Sequence, residues 1–197
     1  MCLLLETIKV EQACLCNLPY HQKRFDAARA KFFPRAPKLD LAEVIQVPSD
    51  LGEGLHRCRV LYGEAIQQVE FIPQQARIFR SLQVVHAEIN YEYKWENRAE
   101  LNQILAKKGD ADEVLIVKNG LITDCTIGNL VLQKAGQLFT PKECLLAGTK
   151  RQQLLDEGLL LELTIPFETI GEYESVGIIN ALIDLEDVSW IPISEVK

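Results

Sequence analysis

Three short stretches of this 197-residue chain hold groups suited to chemistry. Lys94 sits in Tyr91-Glu92-Tyr93-Lys94-Trp95-Glu96, where strand alternation places the three aromatics on one face and Glu92, Lys94 and Glu96 on the other. A lysine there is either a nucleophilic amine or a solvated cation between two glutamates. Asp124 lies near the end of a strand leaving the Asn119-Gly120 turn, as a reactive carboxylate or as a turn or capping group. Gly148-Thr149 precedes a helix, and the first N–H groups of a helix attract anions, although every helix has such an end. There is no Gly-rich nucleotide loop, Walker sequence, nucleophile elbow or zincin helix. The six cysteines (Cys2, Cys14, Cys16, Cys58, Cys125, Cys144) form no Cys-x-x-Cys pair and only three histidines occur, so zinc spacing is absent and no metal is expected. Cys14 and Cys16 can share a strand face, as soft ligands or as small hydrophobes, and reduced thiols are the expectation.

The elements that must position these residues are readable from pattern. Leu3 to Leu15 favours a hairpin with a turn at Lys9 to Gln12, broken by Asn17-Leu18-Pro19. Tyr20 to Phe33 carries Phe25, Ala28, Phe32 and Phe33 at helical spacing and ends at Pro34 and Pro37. A short helix is expected over 41–48, then an antiparallel hairpin over 54–73 with Cys58, Val60 and Tyr62 on one side. After Pro73 the pattern changes to mixed strands and helices, which sets a domain boundary near Leu82. Asn97 is a candidate cap for a helix with Leu101, Ile104 and Leu105 as its buried stripe and Gly109 as its stop. Val114 to Val117 and Leu121 to Cys125 flank the Asn119-Gly120 turn, and Leu130 to Phe139 reads as another hairpin around Gly136. A helix opens at Gly148 and runs to Gly158; the apolar run Val176 to Leu185 follows.

Composition narrows the classes. With 48% apolar residues the chain can bury a sizeable core, and a net charge of −7 argues against a broad phosphate-neutralising surface for nucleic acid. No apolar stretch reaches the roughly 18 residues of a membrane helix. The start, Met1-Cys2-Leu3-Leu4-Leu5-Glu6, lacks a basic n-region, so a cytoplasmic location is expected.

Order and context sharpen the single residues. Lys94 with Asn97-Arg98, Asp112-Glu113-Val114-Leu115 to Gly120, Ile122-Thr123-Asp124-Cys125-Thr126-Ile127-Gly128-Asn129-Leu130, Thr140-Pro141, and Gly148-Thr149-Lys150-Arg151 together resemble the class IV aminotransferase family. Upstream, His21-Gln22-Lys23-Arg24-Phe25 is similar to that family's His-x-x-Arg-Leu segment, and Ile179-Asn180-Ala181-Leu182 resembles its Asn-Ala-Leu or Asn-Ser-Leu turn. The resemblance runs from about Glu6 to Leu185. It implies an α+β protein of two α/β domains with the D-amino-acid aminotransferase-like fold, a smaller domain over 1–82 and a larger one over 83–197, with the cofactor between them. It also implies a homodimer, and an amino end shortened relative to typical members, whose extra strands help shape the substrate pocket.

The cofactor implied is pyridoxal 5′-phosphate (PLP), with Lys94 as the residue that forms a Schiff base to its aldehyde and then moves the substrate's α-proton. Asp124 matches a position where many relatives carry Glu; a carboxylate there keeps the pyridine nitrogen protonated, and Asp is one methylene shorter. Asn129 keeps the family's closing Asn in a supporting role. Arg24 matches the arginine that holds the cofactor phosphate, and Gly148 and Thr149 would grip it from the helix start. Asn180 and backbone amides stand in for a hydroxyl found in some relatives' late turn. Arg98 could pair with a carboxylate of the substrate or cofactor shell, or with Glu92 or Glu96.

The resemblance therefore implies a PLP-dependent enzyme acting on a small amino compound. The Lys-Trp-Glu-Asn-Arg, Thr-Asp-Cys and Asn-Ala-Leu segments look closer to 4-amino-4-deoxychorismate lyase, which eliminates pyruvate, than to branched-chain transaminases. A D-amino-acid or branched-chain transaminase and a non-catalytic PLP-binding or interaction protein are the alternatives.

Overall fold

The computed structural model describes residues 3–197; Cys2, counted above among the thiols, lies outside the described residues. The chain divides into two compact units, one of Met1–Ala76 with Tyr93–Asn97, the other of Arg77–Glu92 with Arg98–Lys197. The division thus falls at Arg77, ahead of the expected Leu82, and the Lys94 segment returns to the first unit.

In the first unit, alternation along β1 (Leu4–Glu11) turns Leu4, Glu6 and Ile8 to one buried face. Gln12 and Ala13, both at left-handed φ of 49° and 58°, return the chain as β2 (Cys14–Leu15), so β1 runs past the expected turn start at Lys9. α1 (Leu18–Phe32) opens with Pro19 in its first turn, where a missing N–H costs nothing. His21, Phe25 and Ala28 lie on its buried face, with Arg24 between them. α2 (Leu41–Val44) is capped by Asp40, whose side chain accepts from the Ala42 N–H at 2.8 Å, and it stops earlier than expected because Ile45 is already extended. β3 (His56–Tyr62) and β4 (Ile66–Pro73) complete an antiparallel sheet in the order β2-β1-β3-β4. Cys58, Val60 and Tyr62 point from β3 into the core with Leu4, Ile8, Phe25 and Ala28.

Around Lys94 the structure corrects the expected strand. Tyr91 is buried in the second unit, while Tyr93 and Trp95 pack on Phe32 in the first, with ring centroids 4.7 and 4.8 Å away. Among the described residues the Lys94 segment meets β1 in an isolated bridge at Trp95: the Leu5 N–H donates to Lys94 O, and the Glu96 N–H to Leu3 O, each at 2.9 Å. A single bridge of this kind does not sustain strand alternation.

The second unit begins with β5 (Leu82–His86), crosses through α3 (Ala99–Leu105) and returns parallel as β6 (Glu113–Lys118), the connection a parallel pair requires. α3 starts after Arg98 and not Asn97, with no side-chain cap. Asn119 and Gly120, at φ 52° and 77°, make the tight turn into β7 (Leu121–Ile122). β8 (Asn129–Lys134) and β9 (Gln137–Pro141) form a hairpin around Ala135-Gly136; α4 (Thr149–Asp156) then leads to β10 (Leu161–Leu163), parallel to β9. β11 (Ser175–Ile179) and β12 (Ile191–Pro192) finish the sheet β10-β9-β8-β11-β12. Leu130 and Leu132 of β8 face one core with Leu115, Ile122, Val176 and Ile178, while Val131 faces a smaller one with Leu154, Leu160 and Ile179. Among the described residues no helix is long and apolar enough to cross a membrane.

Because Leu115 is fully buried and Leu163 is 42% exposed, Leu115→Ala should lower unfolding free energy by about 2–5 kcal/mol and Leu163→Ala by less than about 1 kcal/mol in urea titrations. Equal losses would contradict the core assignment.

Candidate functional site

Asp124 follows β7, and its backbone pairs with Asn129 where the chain turns into β8. The side chain is 3% exposed. Its Oδ2 accepts the Leu145 N–H at 2.8 Å and the Leu146 N–H at 3.0 Å, and Oδ1 accepts from Asn129 Nδ2 at 2.8 Å. Asn129 Nδ2 also donates to Leu146 O at 2.8 Å, so the carboxylate and the amide together fix the loop ahead of α4. Burial pushes the Asp124 carboxyl up to about 6, against the pull of its three donors and the Arg151 charge.

Gly148, the residue before α4, is required by close approach and not by backbone angle: a Cβ there would run into Asn129 Oδ1. Gly128 is under the same constraint against Ile179 O. Thr149 is buried at the helix start, where no acidic residue stands in the first turn. Lys150 Nζ pairs with Asp184, and Arg151 donates to Pro141 O at 2.9 Å and to Glu162 Oε1 at 2.6 Å. Asn180 spends its amide on its own turn, accepting from Leu182 N at 2.8 Å and Ile183 N at 3.1 Å while Nδ2 donates to Ile127 O at 3.2 Å. Asp124, Asn129, Gly148-Thr149 and Asn180 are thus gathered around the 124–129 loop of the second unit. Arg98 donates to Thr126 O at 2.7 Å; Glu96, one of the partners expected for it, pairs with Arg59 at 3.4 Å.

Arg24 and Lys94 belong to the first unit. There the structure supplies a residue that the sequence reading missed. Glu6, fully buried, accepts Arg24 Nε at 2.8 Å on one oxygen and Arg24 Nη2 at 2.6 Å on the other, and its Oε2 lies 2.6 Å from His21 Nδ1. Burial acts to raise the Glu6 carboxyl, but the Arg24 charge and the bonds to His21 and Arg24 outweigh it and hold it at about 2. Burial lowers the His21 imidazole; Glu6 opposes that shift, while the charges of Arg24 and Lys94 add to it. A neutral His21 donates from Nδ1 to the carboxylate. The overlooked signal was the pattern Leu4-Glu6-Ile8, which puts a carboxylate on the apolar face of a strand, where it needs a partner.

The family model for amino-transferase class IV matches residues 3–196. An uncharacterised protein of Haemophilus influenzae (strain Rd) is 36% identical over 182 residues, covering 91% of this chain and 97% of its own length. Among solved structures, a candidate 4-amino-4-deoxychorismate lyase from Haemophilus somnus 129PT superposes with a TM-score of 0.87 at 34% identity, covering 94% of this chain and 98% of that one. A hypothetical aminotransferase from Mycobacterium tuberculosis, solved with PLP bound, gives a TM-score of 0.78 at 16% identity, a likeness of fold alone, covering 96% of this chain and 80% of that one. The mixed sheets, the few helices and a family match across nearly every described residue agree, and the chain is a member of the class IV aminotransferase family.

Proposed function

We propose that this protein binds PLP and uses it to act on a small amino compound, with elimination of pyruvate from 4-amino-4-deoxychorismate as the favoured reaction. The observation that carries the cofactor reading is the Asp124 carboxylate. An ionised carboxylate offers about four acceptor positions; three donors take up Asp124, all of them neutral, and it lacks only a cationic one. A protonated pyridine nitrogen is such a donor. The helix start at Thr149, with no acidic residue in its first turn, fits a phosphate approaching backbone N–H groups. The lyase reading draws on the Haemophilus somnus relative, which is similar at 34% identity.

When bound, the cofactor supplies an electron sink for the substrate carbon bearing the amine. Lys94 Nζ would be the amine that holds the cofactor through its aldehyde carbon, for which it must be unprotonated, and it would carry a proton to or from substrate carbon. Asp124 would keep the pyridine nitrogen protonated. Arg24 holds phosphate oxygens with its planar donors, and Gly148 and Thr149 add backbone N–H groups and a hydroxyl. Asn129 aims Asp124, and Asn180 shapes the late turn. The active species is a homodimer.

Wild-type protein with PLP should turn yellow, borohydride should fix the cofactor on Lys94, and Lys94→Ala should stay colourless. With 4-amino-4-deoxychorismate and no amino acceptor, pyruvate should be released. Conversion of the cofactor to its amine form by an amino acid alone would instead support a transaminase. Cofactor uptake with neither activity would leave a PLP-binding protein, and no uptake from excess PLP would end the cofactor reading.

Asp124 adds a pH signature. A carboxyl whose folded value is raised stabilises the fold fully below its unfolded value, near pH 4, and loses that contribution as pH rises through about 6. His21, lowered by burial, titrates in the opposite sense nearby, so the readout is the stability difference between wild type and Asp124→Ala. Without cofactor, that difference should shrink by about 2 kcal/mol from pH 4 to pH 7 in denaturant titrations. With PLP bound the shrinkage should disappear, because the pyridine N–H holds the carboxylate ionised; a flat difference in the cofactor-free protein would contradict the assignment.

A further inference from the structure

Glu6 has no catalytic or binding role in the reading above, yet it is a charged group on the apolar face of β1, flanked by Leu4 and Ile8, each fully buried. Stability is a poor reason for such a group. Taking a carboxylate and a guanidinium out of water costs several kcal/mol, and replacing buried ion pairs by apolar residues is often neutral or stabilising. What the arrangement does provide is orientation.

Arg24 has a long side chain with many rotamers, and a guanidinium grips a tetrahedral anion well only when its plane is fixed. Glu6 fixes that plane through two parallel bonds, to Nε at 2.8 Å and to Nη2 at 2.6 Å. Glu6 is itself held: its backbone is locked in the β1–β3 ladder opposite Val60, and its Oε2 is bonded to His21 Nδ1 at 2.6 Å. His21 and Arg24 stand three residues apart on α1, so both reach the same carboxylate from one helix face. The neighbouring residue on β1, Leu5, donates its N–H to Lys94 O, so the strand that carries Glu6 also fixes the backbone of Lys94.

We propose that Glu6, braced by His21, is a positioning residue that orients the Arg24 guanidinium for the cofactor phosphate. The proposal rests on the PLP reading of the preceding section. It assigns Glu6 an effect on the phosphate end of the ligand and none on the ring, and it requires that the effect pass through Arg24.

Those two requirements distinguish positioning from a general role in packing. The full-length protein is titrated with PLP and with pyridoxal, which lacks the phosphate, in wild type, Glu6→Gln, Arg24→Gln and the double variant. Melting curves confirm that each is folded. Glu6→Gln keeps the side-chain shape while weakening its grip on the guanidinium; it should weaken PLP by roughly 10- to 100-fold, the scale seen when a partner that orients a metal ligand is lost, and change pyridoxal by less than about twofold. In the Arg24→Gln background the same change should add less than about twofold, the non-additivity of residues that act as a unit. If Glu6→Gln fails to fold, His21→Asn tests the brace and should weaken PLP and spare pyridoxal in the same way, by a smaller factor. Equal weakening of PLP and pyridoxal, undiminished weakening in the Arg24→Gln background, or no effect on PLP would each overturn the proposal. Wild type that binds no PLP overturns the cofactor reading and this inference with it, whereas wild type that binds PLP with unselective variants overturns this inference alone.

Discussion

The candidate site in the second unit is organised by one buried carboxylate with neutral donors. Asp124 draws the Leu145 and Leu146 N–H groups and the Asn129 amide to itself, and so ties the segment after β7, the start of β8 and the loop into α4 to one point. Gly148 is small because Asn129 fills the space its side chain would take. The start of α4, the position of Thr149 and the orientation of Asn129 are consequences of how that carboxylate is satisfied. A charge buried with neutral donors alone is costly, which is why the Asp124 carboxyl is raised toward neutrality, to about 6.

The first unit buries a carboxylate under the opposite condition. Glu6 meets an arginine through two bonds and a histidine through a third, and its carboxyl falls to about 2. Burial opposes ionisation in both cases; what differs is the charge of the partners. Glu6 is complete within its own unit, electrically as well as geometrically. Asp124 has three neutral donors for about four acceptor positions, so a cationic ring nitrogen would change its environment strongly.

Much of the fold was legible because local chemistry and global topology agree. The Asn119-Gly120 turn supplies the positive φ that a tight hairpin needs, and Phe25 and Ala28 keep a helical period that the packing of α1 uses. The Cys58, Val60 and Tyr62 alternation of β3 was readable for the same reason. The Lys94 segment was misread because three aromatics at alternate positions look like a strand, while among the described residues the chain meets β1 in an isolated bridge at Trp95 and its tyrosines pack in different units. The candidate site residues were named from their order along the chain, but their supports could not be. The exclusion of a Cβ at Gly148 by Asn129 is a contact between residues remote in sequence, and the commitment of the Asn180 amide to its own turn depends on the backbone after it. Glu6 was within reach of the sequence, since a glutamate between two buried strand positions must find a partner.

If Asp124 waits for a cationic donor, the protonation state of the cofactor nitrogen reports on it directly. The nitrogen-15 chemical shift of protein loaded with PLP labelled at the pyridine nitrogen, recorded at pH 8 in wild type and in Asp124→Ala, is the measurement. The expected result is a protonated ring nitrogen in wild type and a neutral one in Asp124→Ala. A neutral nitrogen in wild type, or the same shift in both proteins, would contradict the role given to Asp124 and the cofactor site built around it.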